Sequence, residues 1–144
     1  MAALTKDRNT ARFEDGLRRG DVAAATLIYA GAIVMRDSSG NLIEGQTATG
    51  LVGVGRAEER VDNSAGSAGD LTCDYRMGVF AYANSASGDL ITKADIGNVC
   101  YAVDDQTVAK TNGSSTRSPA GIVDYVDAQG NVWVRFDEAL TNAS

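Results

Sequence analysis

At 144 residues, 15.0 kDa and 44% hydrophobic composition, the chain has the size of one domain with a real core and is too apolar for a disordered polymer. Its net charge of −6 argues against a general nucleic-acid binder, which carries a basic face. It contains no histidine, which removes imidazole-based dyads and triads and the commonest transition-metal ligand.

The opening stretch MAALTKDRNTARFEDG has no apolar core of the kind a signal peptide needs, so synthesis and use in a cytoplasm are expected. Within residues 1–20, Lys6, Arg8, Arg12, Arg18 and Arg19 stand against Asp7, Glu14 and Asp15, a net of +2; the remaining 124 residues hold eight basic and sixteen acidic side chains, a net of −8. A basic, weakly apolar start on an acidic body predicts an extended arm over 1–20 that lies on another surface. An ordinary frayed terminus is the alternative. ARFEDGLRRG (11–20) has an interior glycine and no apolar stripe, so it is read as coil or one or two helical turns.

From residue 21 onward the pattern is that of one all-β domain, 21–144. Sixteen glycines and a single proline punctuate short runs rich in Val, Ile, Thr and Tyr, with turn signals at DSSGN (37–41), DNSAGSAGD (62–70), NSASGD (84–89), TNGSS (111–115) and DAQGN (127–131). This predicts a small β-barrel or sandwich of short antiparallel strands. The apolar run Val22 to Met35 is too short to span a bilayer and reads as strands. AIVMRD and LIEG form a hairpin turning at Gly40. LVGVGRAEERVD (51–62) reads as one strand that starts in the core and ends at a wet edge. Its Gly53 and Gly55 leave room for another backbone or a bulky residue to approach. LTCDYRMGVFAYAN (71–84) reads as the longest strand, with a bulge at Gly78. In DIGNVCYAVDDQTV (95–108) Val99, Tyr101 and Val103 are expected on the core face, with Asp104 and Asp105 in the bend that follows. AGIVDYVDAQGNVWVRF (120–136) is a hairpin with Val132, Val134 and Phe136 on one face and Trp133 and Arg135 on the other.

No catalytic motif emerges. GLVGVG (50–55) lacks both the strand–loop–helix setting and the Lys-Ser pair of a phosphate loop. The adjacent carboxylates Glu58–Glu59, Asp104–Asp105 and Asp137–Glu138 point to opposite faces if they lie in strands, so neither member of a pair converges with the other on one atom. Neither SxxK nor GxSxG occurs. Cys73 and Cys100 form no metal or disulfide framework and are read as free thiols in strands. The dispersed aromatics are read as core or subunit contacts. An enzyme is not expected, nor a cofactor, metal, nucleic acid or membrane partner.

The stretches TKDRNT (5–10), IYAGAIVM (28–35), TATGLVGVGRAEERVDNSAG (47–66), GVFAYANS (78–85), ADIGNVCYAVDDQTVAKT (94–111) and AGIVDYVDAQGNVWVRF resemble the tailed-phage capsid decoration (head cement) proteins encoded beside the major capsid protein in Mu-like and related phages. The resemblance runs from about residue 5 to residue 137. It implies a β-rich structural virion protein that sits as a homotrimer on the outer capsid surface, partnered by the major capsid protein, and stabilises the expanded head. Assembly would take place in the host bacterial cytoplasm. The capsid-binding arm is then expected to act through Lys6, Arg8, Arg12, Arg18 and Arg19. A receptor-binding or fibre-type adhesin domain using the loops at 62–70 and 111–118 is the alternative. A small trimeric carboxylate hydrolase is a more distant one.

Overall fold

In the computed structural model, which describes residues 2–9, 11 and 16–144, short β-branched runs between turn residues fold as strands throughout. The strands of the first half are β1 (Leu17–Asp21), β2 (Thr26–Ile28), β3 (Ile33–Arg36), β4 (Leu42–Glu44), β5 (Val52–Ala57) and β6 (Val61–Asn63). Those of the second are β7 (Thr72–Arg76), β8 (Gly78–Tyr82), β9 (Val99–Ala102), β10 (Val108–Ala109), β11 (Pro119–Val126) and β12 (Val132–Phe136), followed by helix α1 (Glu138–Asn142). They form an all-β sandwich of two open five-stranded sheets, ordered β1-β7-β5-β3-β4 and β10-β9-β11-β12-β8, with β2 and β6 as a separate pair. Every strand pair is antiparallel.

The middle of the first sheet, β3 and β5, is buried on both faces. Ile33 and Met35 join Val123, Val132, Val134 and Phe136 of the second sheet in one core. Val34, Val54, Cys73 and Tyr75 turn the other way and meet Ile28 and Val61 of the β2–β6 pair in a second core. Three consecutive residues of β3 are therefore fully buried, each side chain worth about 1.5–3 kcal/mol of apolar burial. This double burial also brings backbones close. A Cβ at Gly53 would collide with the carbonyl of Ala120, and one at Gly55 would lie 2.5 Å from the Arg76 oxygen. The expected close approach at these glycines is thus present, and at Gly53 it is the contact between the two sheets.

Several expectations are corrected. Residues 71–84 form two strands in different sheets, because the chain crosses over at Met77–Gly78, where Gly78 adopts a φ of +142° that side chains disfavour. Cys73 and Tyr75 consequently lie in one core, while Tyr82 and Phe80 serve the other. Residues 51–62 likewise split into β5 and β6, with Glu58–Arg60 in the turn between them. In β9 the faces are reversed: Cys100 and Ala102 are fully buried, whereas Val99 and Tyr101 are only half-buried. The residue opposite Cys100 is Gly121, where a Cβ would meet the Arg135 oxygen at 2.6 Å and Val134 Cγ1 at 2.7 Å, so the strands pack closely here. Residues 17–20 belong to strand β1, neither arm nor helical turn, and pair with β7 from Leu17↔Arg76 to Asp21↔Thr72.

Other readings hold. The β3–β4 and β11–β12 hairpins form in the expected places, with Val132, Val134 and Phe136 inward and Trp133 and Arg135 outward. The β9–β10 pair encloses Asp104 and Asp105 in its turn, where Asp104 Oδ1 accepts the Gln106 backbone N–H at 2.9 Å. Both cysteines are free and buried, and burial pushes each thiol up to about 12.

Candidate functional site

The five cations expected in an arm are not in equivalent settings. Lys6 and Arg8 lie in an exposed segment, residues 2–9. Arg12 is outside the described residues. Arg18 and Arg19 sit in β1, inside the folded domain. The Arg18 Nη1 donates to the Leu17 carbonyl at 2.8 Å. Arg19 grips Asp74 across the β1–β7 pair with Nε–Oδ1 at 2.6 Å and Nη2–Oδ2 at 3.3 Å. That two-pronged contact holds the Asp74 carboxyl below its ordinary value and raises the Arg19 guanidinium. The pair is exposed and adds little to stability, but it commits Arg19 to its own domain.

The adjacent carboxylates also separate. Glu58 lies between Arg56 at 2.8 Å and Arg76 at 3.3 Å, whereas Glu59 accepts the backbone N–H of Asp74 at 3.0 Å. Asp137 caps α1 by accepting the Leu140 N–H at 3.1 Å, so this pair starts a helix and is not merely surface charge. Glu138 pairs with Arg36 at 2.9 Å. Each of these four carboxylates is thus engaged in an ion-pair, backbone-bonding or capping role. Among the described residues no three His, Cys, Asp or Glu side chains gather as a metal site, and no helix is long and apolar enough to cross a membrane.

Glu44 at the end of β4 is half-buried, and burial raises its carboxyl above the ordinary value near 4.5, opposed by its own backbone N–H and reinforced by the charge of Asp105. One carboxylate oxygen is buried without a partner. The folded chain therefore holds this proton more tightly than the unfolded chain. Its stabilising effect is complete at low pH and is lost as the pH climbs above the unfolded value. Glu44→Gln is expected to gain stability over the parent as the pH rises from about 4 toward neutrality, read as a widening Tm difference.

Several apolar side chains on the outer face of the second sheet are left uncovered by the described residues. Strand alternation puts Val79 and Ala81 of β8, Trp133 and Arg135 of β12, Ile122 and Tyr125 of β11, and Val99 and Tyr101 of β9 on that side. Trp133 is 37% exposed and Tyr125 54%, and the two are opposite each other in the β11–β12 register. The indole N–H donates to Asp127 at 3.1 Å, which fixes the ring across the sheet. A register shift between Val123 and Tyr125 leaves Asp124 as an extra, exposed residue on β11. Arg135 and Asp124 both lack an ion-pair or hydrogen-bond partner among the described residues. The alternation of AGIVDYVDAQGNVWVRF revealed which side chains point outward. It did not reveal that no described residue would cover them.

No family model, no curated protein and no solved structure matches this chain.

Proposed function

We propose that this chain is a capsid decoration protein, a structural virion component that binds the outer surface of a tailed-phage head as a homotrimer and cements the expanded shell. The observation that carries the assembly half of this reading is the uncovered apolar face holding Trp133, Tyr125 and Val79. Aromatic residues and arginine dominate the energetics of protein interfaces, and here an unpaired Arg135 and Asp124 share that face. The two charges allow each copy to offer a cation to its neighbour and receive an anion in return. The resemblance of the sequence to head cement proteins supplies the capsid.

The exposed segment 2–9 with Lys6 and Arg8 is the part assigned to the capsid lattice. A cement protein stabilises a shell because it binds the assembled lattice in preference to dispersed subunits, and many copies each touching several subunits compensate for weak single contacts. An acidic body with a net of −8 faces solvent and keeps particles apart.

Light scattering of the wild-type chain at micromolar concentration should give three times 15.0 kDa, and Trp133→Glu should give the single-chain mass with an unchanged fold. Deleting residues 2–11 should leave Tm and trimer mass unaltered while lowering occupancy on expanded empty heads by about tenfold or more. The deletion must stop there, because removing 2–19 takes away most of β1 and the Arg19–Asp74 pair. A monomeric wild-type chain that ignores expanded heads overturns the proposal. Binding to host envelope instead would favour the adhesin reading.

A further inference from the structure

At one end of the sandwich, turns from distant parts of the chain meet around an open groove of about 610 Å³. Tyr29 and Gly31 come from the β2–β3 connection, Ala83 from the end of β8, Asp105 and Gln106 from the β9–β10 turn, and Asn131 from the β11–β12 turn. The walls are tied together by backbone and buried groups. Tyr82 Oη donates to the Gly31 carbonyl, Ile33 N–H to the Asp105 carbonyl and Ala83 N–H to the Gln106 carbonyl, each at 2.8 Å. The recess exists because its floor is built of glycine and alanine.

Two side chains at the rim are not used by the fold, whereas that of Asn131 bonds the Asp127 carboxylate. Asp105 and Gln106 make no side-chain hydrogen bond among the described residues. Tyr29 is 53% exposed, with the Arg60 guanidinium carbon 5.6 Å from its ring centre. A preformed recess with a flat aromatic ring and a few converging, unsatisfied polar groups is the general form of a small-ligand site.

We propose that this groove binds a neutral saccharide. A pyranose presents an apolar C–H face that suits a tyrosine ring, and an edge of neighbouring hydroxyls that both donate and accept. The carboxylate of Asp105 accepts from two such hydroxyls, and the amide of Gln106 supplies a donor and an acceptor together. Asp105 disfavours phosphate and other anions, and the Arg60 guanidinium beside Tyr29 is not part of the lining. The alanine floor offers too little apolar surface for an acyl chain. The lining includes neither Trp133 nor Arg135 and shares Ala81 with the outer face of the second sheet.

The test is a titration of the 15N-labelled full chain, followed by amide chemical shifts, with maltohexaose, chitohexaose and dextran at up to about 10 mM, which detects dissociation constants into the millimolar range. At least one sugar should shift Tyr29, Gly31, Gln106 and Asn131. Tyr29→Ala and Gln106→Ala should each weaken that binding about tenfold or more at unchanged Tm. Both sites are exposed, so both variants should fold. No shift with any of the three sugars, shifts centred elsewhere, or undiminished binding by both variants overturns the proposal. So does inorganic phosphate that shifts the same amides more strongly than any sugar.

Discussion

Gly53→Val is expected to destabilise the domain by about 3 kcal/mol or more, enough to unfold a marginal chain at ambient temperature. Gly53 lies in β5, where a Cβ would overlap the Ala120 carbonyl and lie 2.8 Å from the Ala120 Cα. The obstacle is backbone belonging to β11, which is held from both sides by β9 and β12. It cannot swing aside as a side-chain tip would, so relief requires the two sheets to separate and the core between them to loosen. Urea denaturation measures the effect through the transition midpoint. Gly88→Ala supplies the control, because its Cβ would meet nothing within 4 Å, and it should stay within about 0.5 kcal/mol of the parent. A Gly53→Val chain as stable as the control would show that the sheets do not touch here.

Asn63→Ala should cost about 2–3 kcal/mol, and Asn63→Asp more at neutral pH. Asn63 closes β6 at 2% exposure, and its Nδ2 group faces three carbonyls, Ala23 and Ser67 at 3.0 Å and Val22 at 3.4 Å. The amide thus fastens the 63–67 turn to the Val22–Ala23 backbone beneath it. Alanine removes the donors and leaves the Ala23 carbonyl without one, while the Val22 and Ser67 carbonyls keep the Gly69 and Asp70 N–H groups. Aspartate puts an acceptor where donors are required, so its folded-state pKa must rise above the ordinary value of about 3.9. Its stability relative to Asn63→Ala should therefore be greatest at low pH and decline as the pH rises above the unfolded value. Thermal melts of both variants across that interval check the sign, and a flat difference would mean that the aspartate reaches solvent.

The candidate surfaces were legible to different degrees. Strict alternation in VWVRF assigned Trp133 and Arg135 to the face opposite Val132 and Val134 without any knowledge of the fold, since side chains on a strand alternate with a period of two. The bend at Asp104–Asp105 was equally local, because aspartate bonds to backbone N–H groups two residues on. The groove was not legible, because Tyr29, Asp105 and Asn131 lie far apart in sequence and only strand pairing brings them to one end. The status of Arg19 was hidden for the same reason. Its partner Asp74 is 55 residues away, and a tally of charges cannot distinguish a cation offered to a partner from one already held.

By itself the sequence determined the class: strand-length runs, turn residues and hairpins are local features whose energetics are settled within about ten residues. Only the tertiary structure decided the sheet each strand joins, the division of 71–84 at Gly78, and the inward turn of Cys100 and Ala102 in place of the larger Val99 and Tyr101. Ranking side chains by hydrophobicity assumes that the interior has space for the largest. Near Gly53, Ala120 and Gly121 the strands lie so close that small side chains are the ones that fit, and the larger apolar groups are left on the outside.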